Sequence, residues 1–153
     1  MPTDDVVDRF RQIKWHYAPG DPAARAELKR RIAEAGRRRT LITYSDLARG
    51  ISFHLPNLKD PQHQIDVHDW QDLDRAIIGD FLGYLSMQSY EEAGFLSSAL
   101  VVGKIEGSPG EGFYNLLRDL GLIASSKSDK AMILWADHVA KAHTWYSKHL
   151  GTA

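Results

Sequence analysis

Between Leu96 and Leu120 the chain changes character twice within a few residues, and this limits the folds open to it. Leu100-Val101-Val102 closes a short apolar run rich in Leu and Val, the composition of a buried strand. The run Gly107-Ser108-Pro109-Gly110-Glu111-Gly112 follows, too dense in Gly and Pro for regular structure. A helical pattern then begins at Phe113. Such a loop can bring backbone N–H groups close to a partner, so the working surface is expected there.

The rest of the chain reads as helices. Asp4 to Tyr17 is expected to be the first, capped by Thr3, with Val6, Phe10, Ile13 and Tyr17 on one face. Asp21 caps a second, with Pro22 at its first position, the stripe Ala24, Leu28, Ile32 and Ala35, and a stop at Gly36. Residues 1–36 thus form a helical hairpin. Leu41-Ile42 is expected to be a short strand, and Thr43 to open a third helix through Tyr44, Leu47, Ala48 and Ile51, which keep the helical spacing. From Ser52 to Val67 the pattern is lost in a long loop. Asp69 is expected to cap a helix from Trp70 to Leu85, with Gly79 and Gly83 permitting close approach of another backbone. Ser89 to Glu92 reads as a separate short turn. The last helix occupies 128–150, capped by Ser128, with Met132, Trp135, Val139, Tyr146 and Leu150 on one side. The fold class is therefore α+β and mostly helical: one compact domain with a small sheet or hairpin.

With 153 residues and no cysteine, the chain can bury one core, and disulfides, thiolate metal sites and a cysteine nucleophile are excluded. The start, Met1-Pro2-Thr3-Asp4-Asp5, lacks the apolar region of a signal peptide, and no apolar run is long enough to span a bilayer. A soluble protein of a bacterial-type cytoplasm, with no membrane partner, is expected. The net charge of −1 is unevenly spread: +4 over residues 1–50, −6 over 51–100 and +1 over 101–153. Either this orients the molecule toward a charged partner, or the first third pairs with the middle third inside the fold.

Arg37-Arg38-Arg39, with Lys29-Arg30-Arg31 just before, is the clearest basic cluster. Guanidinium groups bind phosphate bidentately, while cations at a helix end also simply suit its dipole. His63, Asp66, His68 and Asp69 form one histidine–carboxylate group, and His138 and His143 lie on the last helix. Neither has helical metal-ligand spacing, so no metal is expected. Glu106 and Glu111 flank the glycine loop, where carboxylates could do acid–base work, but no spacing selects a reaction. The loop lacks the Gly-Lys-Ser/Thr ending of a P-loop, and no cofactor is expected. Among four tryptophans, Trp70 and Trp135 fit core stripes; Trp15 and Trp145 lie off them, as contact surface or half-buried packing.

Thr43-Tyr44-Ser45-Asp46-Leu47-Ala48 resembles the start of the winged-helix DNA-binding domain of DNA alkyltransferases and alkyltransferase-like proteins. Arg75-Ala76-Ile77-Ile78-Gly79 is similar to that family's recognition-helix core, and the strand, glycine turn and closing helix come in the same order. The resemblance implies a winged-helix-like core over 43–120, with Tyr44 near a phosphate or nucleotide and Arg75 in the place of the inserted arginine. Ser97-Ser98-Ala99-Leu100 stands where the family carries its cysteine nucleophile, so alkyl transfer is excluded.

The resulting expectation is a non-catalytic binding module associated with nucleic acid. Arg37, Arg38, Arg39, Tyr44, Ser45 and Arg75 would contact it, and Gly110 and Gly112 would approach the strand. Two alternatives stand beside it. One is a protein-interaction adaptor, or self-association, through the acidic middle and outlying tryptophans. The other is a metal-assisted hydrolase or nuclease built on Glu106, Glu111 and histidines.

Overall fold

The computed structural model describes residues 3–56, 58–125 and 129–149 of the chain. Within them the elements run α1 (Asp4–Arg11), α2 (Pro22–Arg37), β1 (Ile42–Thr43), α3 (Tyr44–Ala48), β2 (Ser52–His54), β3 (Gln62–Gln64), α4 (Asp72–Ala93), β4 (Val101–Val102), α5 (Glu111–Asp119) and α6 (Lys130–Lys148). β1 pairs in parallel with β4, placing Ile42 opposite Val101, while β2 and β3 form an antiparallel hairpin. The fold is the mostly helical α+β arrangement that the sequence implies.

Two apolar clusters share α4 and α6. One gathers Leu28, Ile32, Leu47, Phe53, Phe81 and Leu85 between α2, α3, the hairpin and α4. The other packs Phe10 of α1 and Leu117 of α5 against Leu96 and Tyr90. The segment 94–100 lies wholly buried between them. Only Val101 and Val102 of the expected strand pair as strand; Ser97–Leu100 is a 3₁₀ turn. Side chains hold this buried backbone. Ser98 N–H donates to Ser86 Oγ (3.1 Å), Ser97 N–H to Ser89 Oγ (3.0 Å) and Leu96 N–H to His138 Nδ1 (3.0 Å), while Trp135 Nε1–H donates to the Ala99 carbonyl (2.8 Å). Buried amides need such partners, and a turn lets side chains supply what a neighbouring strand does not.

Several boundaries differ from the sequence reading, each for a local reason. α1 ends at Arg11 because Asp80 takes the N–H groups of His16, Tyr17 and Ala18 (2.7, 3.0 and 2.8 Å), which a continuing helix would use internally. Thr3 does not cap by its side chain; its N–H donates to Tyr90 Oη at 3.1 Å. Ser52 to Val67 is not featureless: it carries the β2–β3 hairpin, whose Phe53 is fully buried on Phe81 (5.3 Å between ring centres). α4 is capped by Gln71 rather than Asp69, with Asp74 Oδ2 accepting the Gln71 N–H at 2.9 Å. It runs on through Ser89–Glu92 to Ala93, where Gly94 at φ 79° stops it. Gly83 admits a side chain rather than a backbone, since a Cβ there would lie 2.6 Å from the Trp15 indole. Trp15 is thus packing, edge-on to Tyr84 at 6.0 Å. Ser128 and Leu150 lie outside the described residues.

The end of α2 inverts the expected roles of two residues. Gly36 is not the stop but an interior helical residue, and a Cβ on it would run into the Tyr146 ring of α6. Glycine here lets α2 and α6 touch. The stop is a full Schellman motif: Thr40 N–H donates to the Ala35 carbonyl (3.0 Å) and Arg39 N–H to the Gly36 carbonyl (3.1 Å). The residue in the left-handed conformation is Arg39, at φ 54°.

Candidate nucleic-acid interface

The residues singled out by sequence fall into three places. Tyr44 and Gly110 meet. The phenol oxygen of Tyr44 accepts the Gly110 N–H at 2.8 Å, where Gly110 caps α5. Burial pushes the Tyr44 phenol pKa up, the Gly110 amide opposes this, and Tyr114 and Glu106 add smaller upward contributions. Ser45 is half-buried beside it in α3, and Gly112 is exposed on the first turn of α5. Parallel pairing of β1 with β4 creates this junction, because each strand leads directly into one of its two sides.

The glycine loop closes on itself. Gly103 N–H donates to the Ser108 carbonyl and Gly107 N–H to the Gly103 carbonyl, both at 2.9 Å, with Gly107 at φ 67°. Glu106 folds over the face of Gly103 that a Cβ would occupy. The Gly110 amide is thus already committed to Tyr44, and the nearby Glu106 charge disfavours a phosphate.

Arg37, Arg38 and Arg39 end α2. Arg37 and Arg38 both pair with Glu34, the latter at 2.8 Å, and Arg37 holds the Glu34 carboxyl below its ordinary pKa. One carboxylate against three guanidiniums leaves a positive surplus. Arg31 has a structural role: Nη1 donates to the carbonyls of Asp46, Leu47 and Arg49 (3.2, 2.9 and 2.8 Å), closing the end of α3. Arg30 binds Glu27, holding that carboxyl down at about 2. Arg75 stands apart, exposed on the first turns of α4 and paired with Asp72 at 3.2 Å.

The uneven charge along the chain does not resolve into pairing between its thirds. The ion pairs among the described residues are local, and the longest in sequence joins His63 to Asp74. The middle-third aspartates accept from backbone instead. Asp80 takes the three amides at 16–18, Asp74 takes Gln71 N–H, and Asp66 takes His68 N–H at 3.0 Å. Asp21, itself in the first third, both caps α2 (Ala24 N–H, 3.2 Å) and accepts His54 N–H at 2.7 Å.

The histidines do not converge. His63 Nε2 lies 2.6 Å from buried Asp74, His143 Nε2 donates to the Thr40 carbonyl at 2.9 Å, and His138 faces the Leu96 amide. Among the described residues no group of three or more His, Cys, Asp or Glu side chains is arranged to hold a metal ion. No described helix is long and apolar enough to cross a membrane. No family model, no curated protein and no solved structure matches the chain.

Sequence reasoning missed the left-handed Arg39 and the use of Trp145 beside α2. A Schellman stop without glycine leaves no residue signature, although Gly36 in the interior alanine stripe hinted at a close helix contact.

Proposed function

We propose that the chain is a non-catalytic binding module for nucleic acid, with the C-terminal end of α2 as its phosphate contact. The observation that carries this is Arg39. A left-handed residue with a side chain costs about 1–2 kcal/mol, which glycine would avoid. Strain retained where a neutral replacement is available points to a use for the side chain. That side chain is exposed, and it extends a cluster whose single shared carboxylate leaves Arg37 and Arg38 incompletely neutralised.

The Tyr44–Gly110 junction enters this reading as a scaffold, fixing the loop rather than offering its amide. Arg75, with Asp72 beside it, is assigned no contact.

The test is fluorescence anisotropy of a labelled oligonucleotide at low salt and across a salt series. Replacing Arg37, Arg38 and Arg39 together with alanine should weaken binding and flatten the slope of log K against log salt by about 2. Unchanged affinity and slope in that variant would overturn the proposal.

A further inference from the structure

Beside the arginine cluster, α2, the end of α4 and the end of α6 enclose a groove of about 340 Å³. Its lining includes Lys29 and Arg37 of α2, Glu92 of α4, and Trp145, Tyr146 and His149 at the end of α6. We propose that this groove is a subsite for one unpaired nucleotide, its base stacked at Trp145 and its phosphate held by Lys29 and Arg37. The inference rests on the nucleic-acid reading above and narrows it to single strands.

Size is the first argument. The volume lies at the small end of ligand pockets, which run from roughly 300 to 1,000 Å³, and so suits a single nucleotide rather than a duplex.

Aromatic geometry is the second. The Trp145 indole is braced by Phe95 (5.8 Å between ring centres) and edge-on by Tyr146 (5.3 Å). The His149 imidazole lies on it nearly parallel, at 3.9 Å and 14°. His149 Nδ1–H donates to the Trp145 carbonyl (2.6 Å), which orients that ring. The exposed imidazole, one residue past α6, thus covers one face of the indole, and an entering base stacks there by displacing it.

Charge is the third. The Lys29 ammonium forms no ion pair among the described residues, and Arg37 shares Glu34 with Arg38. An anion entering the groove meets two cations. The Glu92 carboxylate supplies the opposite demand, a hydrogen-bond acceptor for N–H or O–H groups. A ligand with an anionic end and a flat ring bearing donors satisfies both. A nucleotide whose base edge is unpaired has that composition, and a paired base does not present it.

The test uses the full chain and three probes: a fluorescein-labelled oligoadenylate strand, the same strand annealed to its complement, and AMP. Strand binding is read by anisotropy and AMP binding by calorimetry. The wild-type chain should favour the single strand over the duplex and should bind AMP. Trp145→Leu should weaken the single strand and AMP by about tenfold while sparing the duplex. Lys29→Glu, an exposed change that does not threaten folding, should weaken the same two probes. If both variants bind single strand and AMP as the wild type does, the subsite is overturned while the arginine-cluster reading stands. If neither strand binds but AMP does, with both variants impaired, the subsite survives and the nucleic-acid reading falls. Absence of AMP binding together with equal affinity for single strand and duplex overturns the subsite alone.

Discussion

Replacing Arg39 with glycine should make the protein more stable and a poorer ligand binder at once. Arg39 occupies the left-handed position of the Schellman motif that ends α2, at φ 54°, with both motif hydrogen bonds formed by backbone atoms. Those bonds survive replacement of Arg39 by glycine or alanine. Relief of the left-handed penalty is worth about 1–2 kcal/mol, and the greater freedom of glycine in the unfolded chain returns about 0.5–1 kcal/mol. The net gain is about 0.5–1 kcal/mol, or a rise in melting temperature of roughly 1–3 °C for a domain of this size. Arg39→Ala is the necessary control. It removes the same charge but keeps a Cβ in the strained conformation, so it should show the loss of oligonucleotide affinity without the gain in stability. Urea unfolding measures one side and salt-dependent anisotropy the other. Equal stability of the glycine and alanine variants would refute the strain argument, because the two differ only in what the backbone permits.

Asp80→Ala should cost about 3 kcal/mol in urea unfolding, since three backbone N–H groups lose a charged acceptor; Asp80→Asn, keeping one acceptor oxygen, should recover part of that. Gly36→Ala should destabilise by about 1–3 kcal/mol or more, because its methyl group collides with the Tyr146 ring and pushes α6 off α2. A normal melting temperature in that variant would contradict the close helix contact. His138 makes stability acid-sensitive: burial, with Lys141 assisting and Asp137 opposing, holds its pKa at about 4 against an ordinary 6.5. Between those values the unfolded chain binds the extra proton, so stability should fall as pH drops from 6.5, by about 3 kcal/mol at pH 4. His138→Gln should abolish that part of the slope.

Elements long enough to show a period were legible in the sequence. The stripe Ala24, Leu28, Ile32 and Ala35 placed α2 with its Asp21 cap, and Thr43 before Tyr44 placed α3, where Thr43 Oγ1 accepts the Asp46 N–H at 3.1 Å. The β2–β3 hairpin was not legible, because three residues per strand cannot establish an alternation. Nor was the early end of α1, since Ile13 and Tyr17 keep the helical spacing and the competitor for their turn is Asp80, distant in sequence. The Leu96–Val102 run was read correctly as buried but not as a turn, because burial and strand content share an apolar signature. For the candidate site, the arginines and Tyr44 were visible as residue types. Their contexts were not: Tyr44 meets Gly110 through the β1–β4 pairing, and Trp145 joins α2 through the packing of α6 on α2, closest at Gly36.

That last dependence ties the fold to the proposed chemistry more closely than the arginine run alone. α2 supplies the cations and α6 the stacking ring, and the two come together because Gly36 has no side chain to separate them from Tyr146, the neighbour of Trp145. The acidic middle of the chain brings one carboxylate, Glu92, to the groove on this face. Its Asp66, Asp74 and Asp80 carboxylates are turned to backbone amides, where their charge is used to hold a turn, a helix start and the exit from α1. A near-zero net charge is therefore compatible with a polyanion-binding surface. Those three aspartates are held in fixed local roles, whereas Lys29 and Arg39, without ion pairs among the described residues, remain for a ligand.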